Sequence, residues 1–331
     1  MRRAFRIAVL GLLAAGLITY LVTRSGLTWS ALIHSMAAFS ALVFVWIIAL
    51  TAANLGCVTL KWLLVSRALA PDMGRTAHFS DALLATTFGA LLGHVMPFQL
   101  GVALARWLAG KLGIGPSAGL SLGATLYEQM FDAIILLVAV VVSAVGLILR
   151  PGPMGWAVLV LCSAVLVTSW ARFMISPILA MVARCIAWMP PNRVPRTMLE
   201  LQSALENSAG FSASTLRQLA VLSLLRYATT VAWIAIVLGT LHLWEFAVPI
   251  IIGLPLITAI GLVPITPGSL GVTEWTWSAV LLSAGAAIGT AGLFAVTVRI
   301  VNIVALLILI LFLFSVLLLQ RLPMMWRWRA G

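Results

Sequence analysis

The chain has 331 residues, 63% of them hydrophobic and only 8% charged, and its 20 Lys and Arg against 8 Asp and Glu give a net charge of +12. Soluble domains carry about 25% charged residues, so a mean hydropathy of +1.16 excludes a soluble domain of any size. It also excludes a β-barrel, whose strands alternate polar and apolar residues.

What remains is an all-α polytopic membrane protein, with room for about six to eight spans of roughly 20 residues. The basic residues sit between apolar blocks, where they set orientation and meet anionic headgroups rather than nucleic acid. The cysteines, Cys57, Cys162 and Cys185, lack CxxC spacing and lie in or beside apolar segments, so neither a disulfide nor a metal site is expected.

Arg2, Arg3 and Arg6 precede a first apolar block, about Ile7–Val22, and place the N-terminus in the cytoplasm. No small-residue cleavage site follows, so the block reads as an uncleaved span rather than a signal peptide. Arg24 and His34 fall in a short outer loop. A second span runs from about Ala38 to Val65; Lys61 near its end is expected to snorkel to the interface, before Arg67 and Arg75 on the cytoplasmic side.

Ala82–Met96 and Val102–Leu112 flank Pro97-Phe-Gln-Leu-Gly101, and each leg is too short to span. A re-entrant helical hairpin is predicted, with Pro97 and Gly101 at its tip. Ser117–Leu149 is long enough that it must be tilted, or broken near Gly119 and Gly123. Arg150-Pro-Gly-Pro lies outside, and Met154–Trp170 returns to the cytoplasm. A cytoplasmic loop follows over about 172–217. Within it, Met174–Trp188 is predicted to be an amphipathic helix on the membrane surface, and Asn207–Arg217 to be solvated.

Leu219–Leu241 crosses outward. Phe246–Leu262 and Trp275–Ala284 then flank Pro264-Ile-Thr-Pro-Gly-Ser-Leu-Gly-Val-Thr-Glu274. Proline and glycine break a helix, and broken backbone at membrane depth is tolerated only where it is buried in protein or lines a wet cavity. A second re-entrant hairpin is predicted, its tip carrying Pro264, Pro267, Gly268 and Gly271. The last span, about Leu293–Leu319, leads to a tail of interleaved Arg and Trp. This gives about six full spans and two hairpins, with both termini cytoplasmic. All the basic residues except Arg24, Arg150, Arg226 and Arg299 then fall inside.

The halves 1–150 and 154–320 match in plan with opposite orientation, as in transporters built from inverted-topology repeats. The whole chain, 1–331, reads as one membrane domain.

Charges at membrane depth are costly and mark functional sites. The candidates are Glu128 and Asp132, four apart on one helix face, with Glu274, Arg226, Arg299 and Arg106. They read as a midplane cavity in which arginines engage an anionic headgroup, the planar guanidinium suiting phosphate. The competing reading is that pairs such as Arg226–Glu128 or Arg299–Glu274 only fix helix packing. Arg106 and Glu128 also lie close enough to an interface to be snorkelling residues. His94 before the first tip is a possible proton relay, though packing is the commoner role of such a histidine. No Walker A, dinucleotide or GxSxG motif is present, so no cofactor and no catalytic group is expected.

These motifs resemble the flippase-like integral membrane family related to the transmembrane (flippase) domain of lysylphosphatidylglycerol synthase. Pro264-x-Thr-Pro-Gly-x-x-Gly-Val-x-Glu274 is close to that family's P-x-T/S-x-G-G-x-G-x-x-E signature. Pro97-Phe-Gln-Leu-Gly101-Val102 followed by Arg106 is similar to its P-x-R-x-G-E motif, with Gln99 and Val102 in place of Arg and Glu. Glu128-Gln-Met-Phe-Asp132 is similar to its E-R-x-x-D helix, with Gln129 in place of Arg. Arg299 matches an arginine of the last span. The resemblance implies an anionic or lipid-linked amphiphile, such as an anionic or isoprenoid-linked membrane lipid, moved between leaflets of the cell (inner or plasma) membrane. Synthesis of lysyl-lipid is not expected, since the chain ends after the membrane part. The alternative is a membrane-embedded accessory or transferase of envelope lipid or polysaccharide synthesis, with an envelope-synthesis partner or a homo-oligomer as possible assemblies.

Overall fold

The computed structural model describes residues 15–17, 19–70, 78–149, 175, 177–188, 195–207, 211–262 and 266–329. Every regular element among them is helical. Most of the first span, the span Met154–Trp170, Arg150-Pro-Gly-Pro and Pro264 lie outside the described residues.

Residues 15–17 and 19–25 are helical. There follow α1 (Trp29–Ala37), α2 (Ala41–Leu69), α3 (Phe79–Leu92), α4 (Phe98–Lys111) and α5 (Ala118–Leu149). Then come α6 (Pro177–Ala187), α7 (Arg196–Asn207), α8 (Ala213–Thr240), α9 (Ala247–Leu262), α10 (Val272–Ser283) and α11 (Ile288–Arg329). Among the described residues five segments are long and apolar enough to cross a membrane: Ala41–Leu69, Ala118–Val145, Ala213–Thr240, Trp244–Leu262 and Ile288–Gln320. The chain is a multi-pass helical membrane protein.

The order long helix, helical pair, long helix occurs twice, as α2–α3/α4–α5 and as α8–α9/α10–α11. The two opening helices, α2 and α8, pack along each other. Asn54 ties them: its amide donates to the Arg226 carbonyl at 3.0 Å and to the hydroxyls of Thr229 and Thr230 at 3.1 and 2.8 Å.

Helices α3 and α4 have 14 residues each. At 1.5 Å per residue each is about 21 Å long, short of the roughly 30 Å hydrocarbon core. They pack backbone against backbone. A Cβ on Gly89 would lie 2.7 Å from the Val102 Cα, and one on Gly101 would lie 2.8 Å from the Gly89 carbonyl oxygen. Small residues allow this approach where no hydrophobic effect drives helices together. The turn is at residues 93–97, and Pro97 accepts from the amides of Leu100 and Gly101. Gly101 is therefore not a tip residue but a packing notch in the first turn of α4.

Helix α5 runs unbroken through Gly119 and Gly123. These glycines are the groove into which α7 fits. A Cβ on Gly119 would overlap Glu200 and the Thr197 carbonyl, and one on Gly123 would lie 3.0 Å from the Ala204 Cβ. Glu200 also accepts the Gly119 amide at 3.2 Å, satisfying a donor that the first turn of a helix leaves unpaired.

The predicted amphipathic helix is present as α6, but its stripe faces protein. Ile175, Leu179, Ala183 and Ile186 are buried, and the first three belong to a core with Trp62, Phe131, Leu205 and Phe211. The stretch after Asn207 is not simply solvated either: the Phe211 ring lies 4.4 Å from that of Tyr127, and Asn207 donates to the Leu69 carbonyl. The cytoplasmic loop expected over 172–217 is thus largely helix, and Arg217 stands on α8.

In the second pair, Gly253 of α9 takes the side chain of Val280 of α10, whose nearest carbon would be 2.9 Å from an added Cβ. A second core of α1, α2 and α8–α11 residues, including Ile47, Val237, Leu281 and Phe294, surrounds it.

Gly89→Val is expected to destabilise the protein by about 1–3 kcal/mol, the usual cost of overpacking a tight contact. Thermal unfolding in detergent reads this as a lowered midpoint; an unchanged midpoint contradicts the backbone contact of α3 with α4.

Candidate functional site

A charge in a membrane interior is tolerated when it is paired, and the buried ionic pairs among the described residues form two groups. The first joins α2, α4, α5 and α8. Arg106, fully buried, donates from Nη1 to Glu128 Oε2 at 2.6 Å and to Thr125 at 3.3 Å. Its Nη2 reaches the Val58 carbonyl and the Thr86 hydroxyl, and the guanidinium lies over the Trp62 ring at 4.8 Å. Lys61, also fully buried, places Nζ 2.5 and 2.6 Å from the two oxygens of Asp132 and 3.9 Å from Glu128. Asp132 also accepts from Arg226 Nη1 at 2.6 Å and from the Ser223 hydroxyl at 2.9 Å.

The spacing of Glu128 and Asp132 does put both on one face of α5. Their partners differ from the pairing considered above. Arg226 takes Asp132 at 2.6 Å, and Arg106 takes Glu128 at 2.6 Å. Lys61 does not snorkel, and Arg106 and Glu128 are buried within the protein.

The second group is built on the Pro/Gly motif. Pro267–Ser269 form one 3-10 turn, and Gly268, Ser269 and Gly271 all have positive φ, at 59°, 53° and 79°. Two of these three positions are glycine, which enters that region without a Cβ penalty. Gly271 precedes α10, and its amide donates to Glu274 Oε2 at 2.7 Å. Thr266 and Ser269 close the turn through the carbonyls of Leu270 and Gly261, both at 2.7 Å. Arg299 of α11 pairs with Glu274. It also donates to the Gly268 carbonyl at 3.3 and 3.4 Å and to that of Ser269 at 3.4 Å. The anticipated pair Arg299–Glu274 thus exists, and it fixes the turn.

The turns of the two helical pairs meet. A Cβ on Gly268 would overlap the backbone carbonyl of His94, so only glycine permits the approach. The His94 ring in turn has its Nε2 3.3 Å from Asn302 Nδ2. Beside this contact lies a cavity of about 350 Å³. Arg226, Arg299 and Glu274 line it together with Asn54, His94 and Asn302. Of the six predicted charged residues, Asp132, Glu128 and Arg106 do not line the cavity but form the ionic network behind Arg226.

Sequence reasoning missed Lys61, Asn54, Thr229, Thr230 and Asn302. Lys61 was detectable: it stands two turns inside α2, away from the helix end. Single neutral polar residues in apolar helices give no comparable signal. Gln99 and Gln129, where the resemblance implies arginines, are neighbours: the Gln129 amide donates to the Gln99 carbonyl at 3.1 Å. Among the described residues no group of His, Cys, Asp and Glu could hold a metal ion.

Short paired helices, a broken motif at a polar cavity and ionic pairs buried between spans define a polytopic membrane protein with an internal site. The chain belongs to the family described as the lysylphosphatidylglycerol synthase TM region, whose model matches residues 6–327. That description associates the membrane domain with lipid handling. No curated protein and no solved structure matches the chain.

Glu128→Gln strands the Arg106 guanidinium and is expected to cost about 3–5 kcal/mol. Replacing Arg106 and Glu128 together by Met is expected to recover most of that loss. Melting of the purified variants in detergent checks this; a double variant no more stable than E128Q contradicts the pairing.

Proposed function

We propose that the chain moves an amphipathic anion, a phospholipid or a lipid-linked molecule, between the leaflets of the cell membrane, without covalent chemistry. The observation that carries the reading is the meeting of two helical turns, at His94 and Gly268, beside one cavity lined by arginines and a carboxylate. Family membership supports it, since the described family ties this membrane region to lipid.

In this reading α3/α4 and α9/α10 are re-entrant hairpins entering from opposite sides, within an inverted repeat whose termini are both cytoplasmic. A headgroup crossing hydrocarbon must be shielded from it. The cavity supplies polar partners, and each turn in the closed position seals it toward one leaflet. Opening one turn at a time exposes the site alternately. The Arg299 hydrogen bonds to Gly268 and Ser269 make the second turn responsive to an anion, because a phosphate beside Arg299 competes with those carbonyls for its donors.

In proteoliposomes with a fluorescent anionic phospholipid, Arg299→Ala is expected to slow leaflet exchange at least about tenfold, a loss of roughly 1.4 kcal/mol in the transition state. Gly268→Val, which props the turns apart, is expected to abolish coupled exchange. Wild-type rates in both variants would sink the site assignment.

A further inference from the structure

A second cavity lies on the outer side of the first helical pair. Helix α3 packs along both α4 and α11. Its inward face, with Leu83 and Ala90, is buried in a core with Leu55, Leu306 and Leu309. Leu84, Ala85 and Phe88 form a stripe on its other face, and that stripe is the floor of a groove of about 430 Å³. Leu108 and Leu112 of α4 form one wall, and Ile310 and Phe314 of α11 form the other. The rim is open: Phe88, Leu108 and Phe314 are 43%, 42% and 57% exposed. The groove shares no lining residue with the cavity that holds the arginines.

Every lining residue other than Asp81 is Ala, Leu, Ile or Phe. Asp81 stands at one end, in the first turn of α3, and has an interaction of its own. The wall therefore recognises shape and apolarity rather than charge. Water is a poor occupant, since an apolar cavity of even about 150 Å³ stays dry and takes an apolar guest. A helix is too thick. The groove follows α11 from Ile310 to Leu318, about 12 Å at 1.5 Å per residue, so its mean section is about 36 Å². A helix about 10 Å across needs roughly twice that section. An extended peptide is thinner, but it would carry unpaired N–H and C=O groups into hydrocarbon. An alkyl chain is thin and has no polar group. It is also the medium around the α11 wall, which lies within the segment Ile288–Gln320 that is long and apolar enough to cross a membrane.

We infer that the groove between α3, α4 and α11 binds one acyl chain of a membrane lipid, and that it selects the chain and not the headgroup. No hydrophobic effect favours the groove over bulk lipid. The preference comes from packing: a chain in the groove meets protein on three sides, and a chain against a convex helix meets it on one. The bound chain ties α4 to α11 across the open side of the pair. The inference goes beyond the transport reading and does not need the arginine-lined cavity to be a transport site.

The full chain is reconstituted in nanodiscs containing phosphatidylcholine with a diazirine on one acyl chain. After irradiation, labelled residues are located by mass spectrometry. Leu108 and Phe314 are expected to be labelled at least about fivefold more than Leu311, which is 66% exposed on α11 and outside the groove. Phosphatidylglycerol with the same diazirine chain is expected to give the same pattern. Ala85→Trp fills the groove from its floor and Ile310→Trp fills it from a wall. Each is expected to lower groove labelling to the level of Leu311, whereas Leu311→Trp leaves groove labelling unchanged. The two filling variants change different helices, so a folding failure of one leaves the other as the test.

Equal labelling of the groove and Leu311, the result for bulk lipid alone, overturns the inference. So does groove labelling that survives filling, or that follows the headgroup. Crosslinking between copies of the chain through Leu108→Cys and Phe314→Cys would make a second copy the occupant, and would equally overturn it.

Discussion

The Asp132 carboxylate is the point on which the membrane-embedded part depends. It accepts Lys61 from α2, Arg226 from α8 and the Ser223 hydroxyl, and stands one turn from Glu128, which holds Arg106 from α4. In lipid no hydrophobic effect pulls helices together, so packing and polar contacts between helices must do so. Four helices are joined here by charges that none of them could carry alone into hydrocarbon. A buried pair is weak evidence for net stability, since desolvation offsets much of the attraction. What the network does specify is register: breaking one partner leaves another charge stranded.

Against that frame stand the two broken segments. The first turn is short and held by close glycine packing between α3 and α4. The second is held by hydrogen bonds: Arg299 on its carbonyls and Glu274 on the Gly271 amide. They are thus built differently, one by shape and one by charge. The second presents the Arg299 guanidinium, while the first offers a backbone carbonyl and an imidazole. Among the described residues Arg226 is the charged group of the ionic network that lines the cavity beside them. Arg226 thus connects what fixes the helices with the wall of the cavity.

Much of this was legible in the sequence. Hydropathy gives the class, and the Pro/Gly interruptions locate both helical turns, because a break in an apolar run has few physical explanations. The pair Arg299–Glu274 was also readable, as a lone Arg and a lone Glu in neighbouring segments. Which partner Arg226 would take was not, since Glu128 and Asp132 share a face of one helix and the sequence does not say that Arg106 occupies Glu128. Gly101 reads from the sequence as a tip residue, and Gly119 as one place where a long helix is broken unless it is tilted, because glycine signals a turn and a close approach alike. The structure resolves both as packing notches, where a Cβ would strike a neighbouring helix. The amphipathic stripe of α6 was visible, but periodicity cannot tell whether protein or lipid covers it.

The central claim is that the two turns are moving walls of one cavity. Cysteines placed at Val95 and Leu270, one in each turn, can be joined by a short reducible crosslinker in proteoliposomes, and leaflet exchange of a labelled anionic phospholipid followed before and after reduction. The account predicts that exchange stops while the turns are joined and recovers when the link is cut. Exchange at the same rate in both states would contradict it.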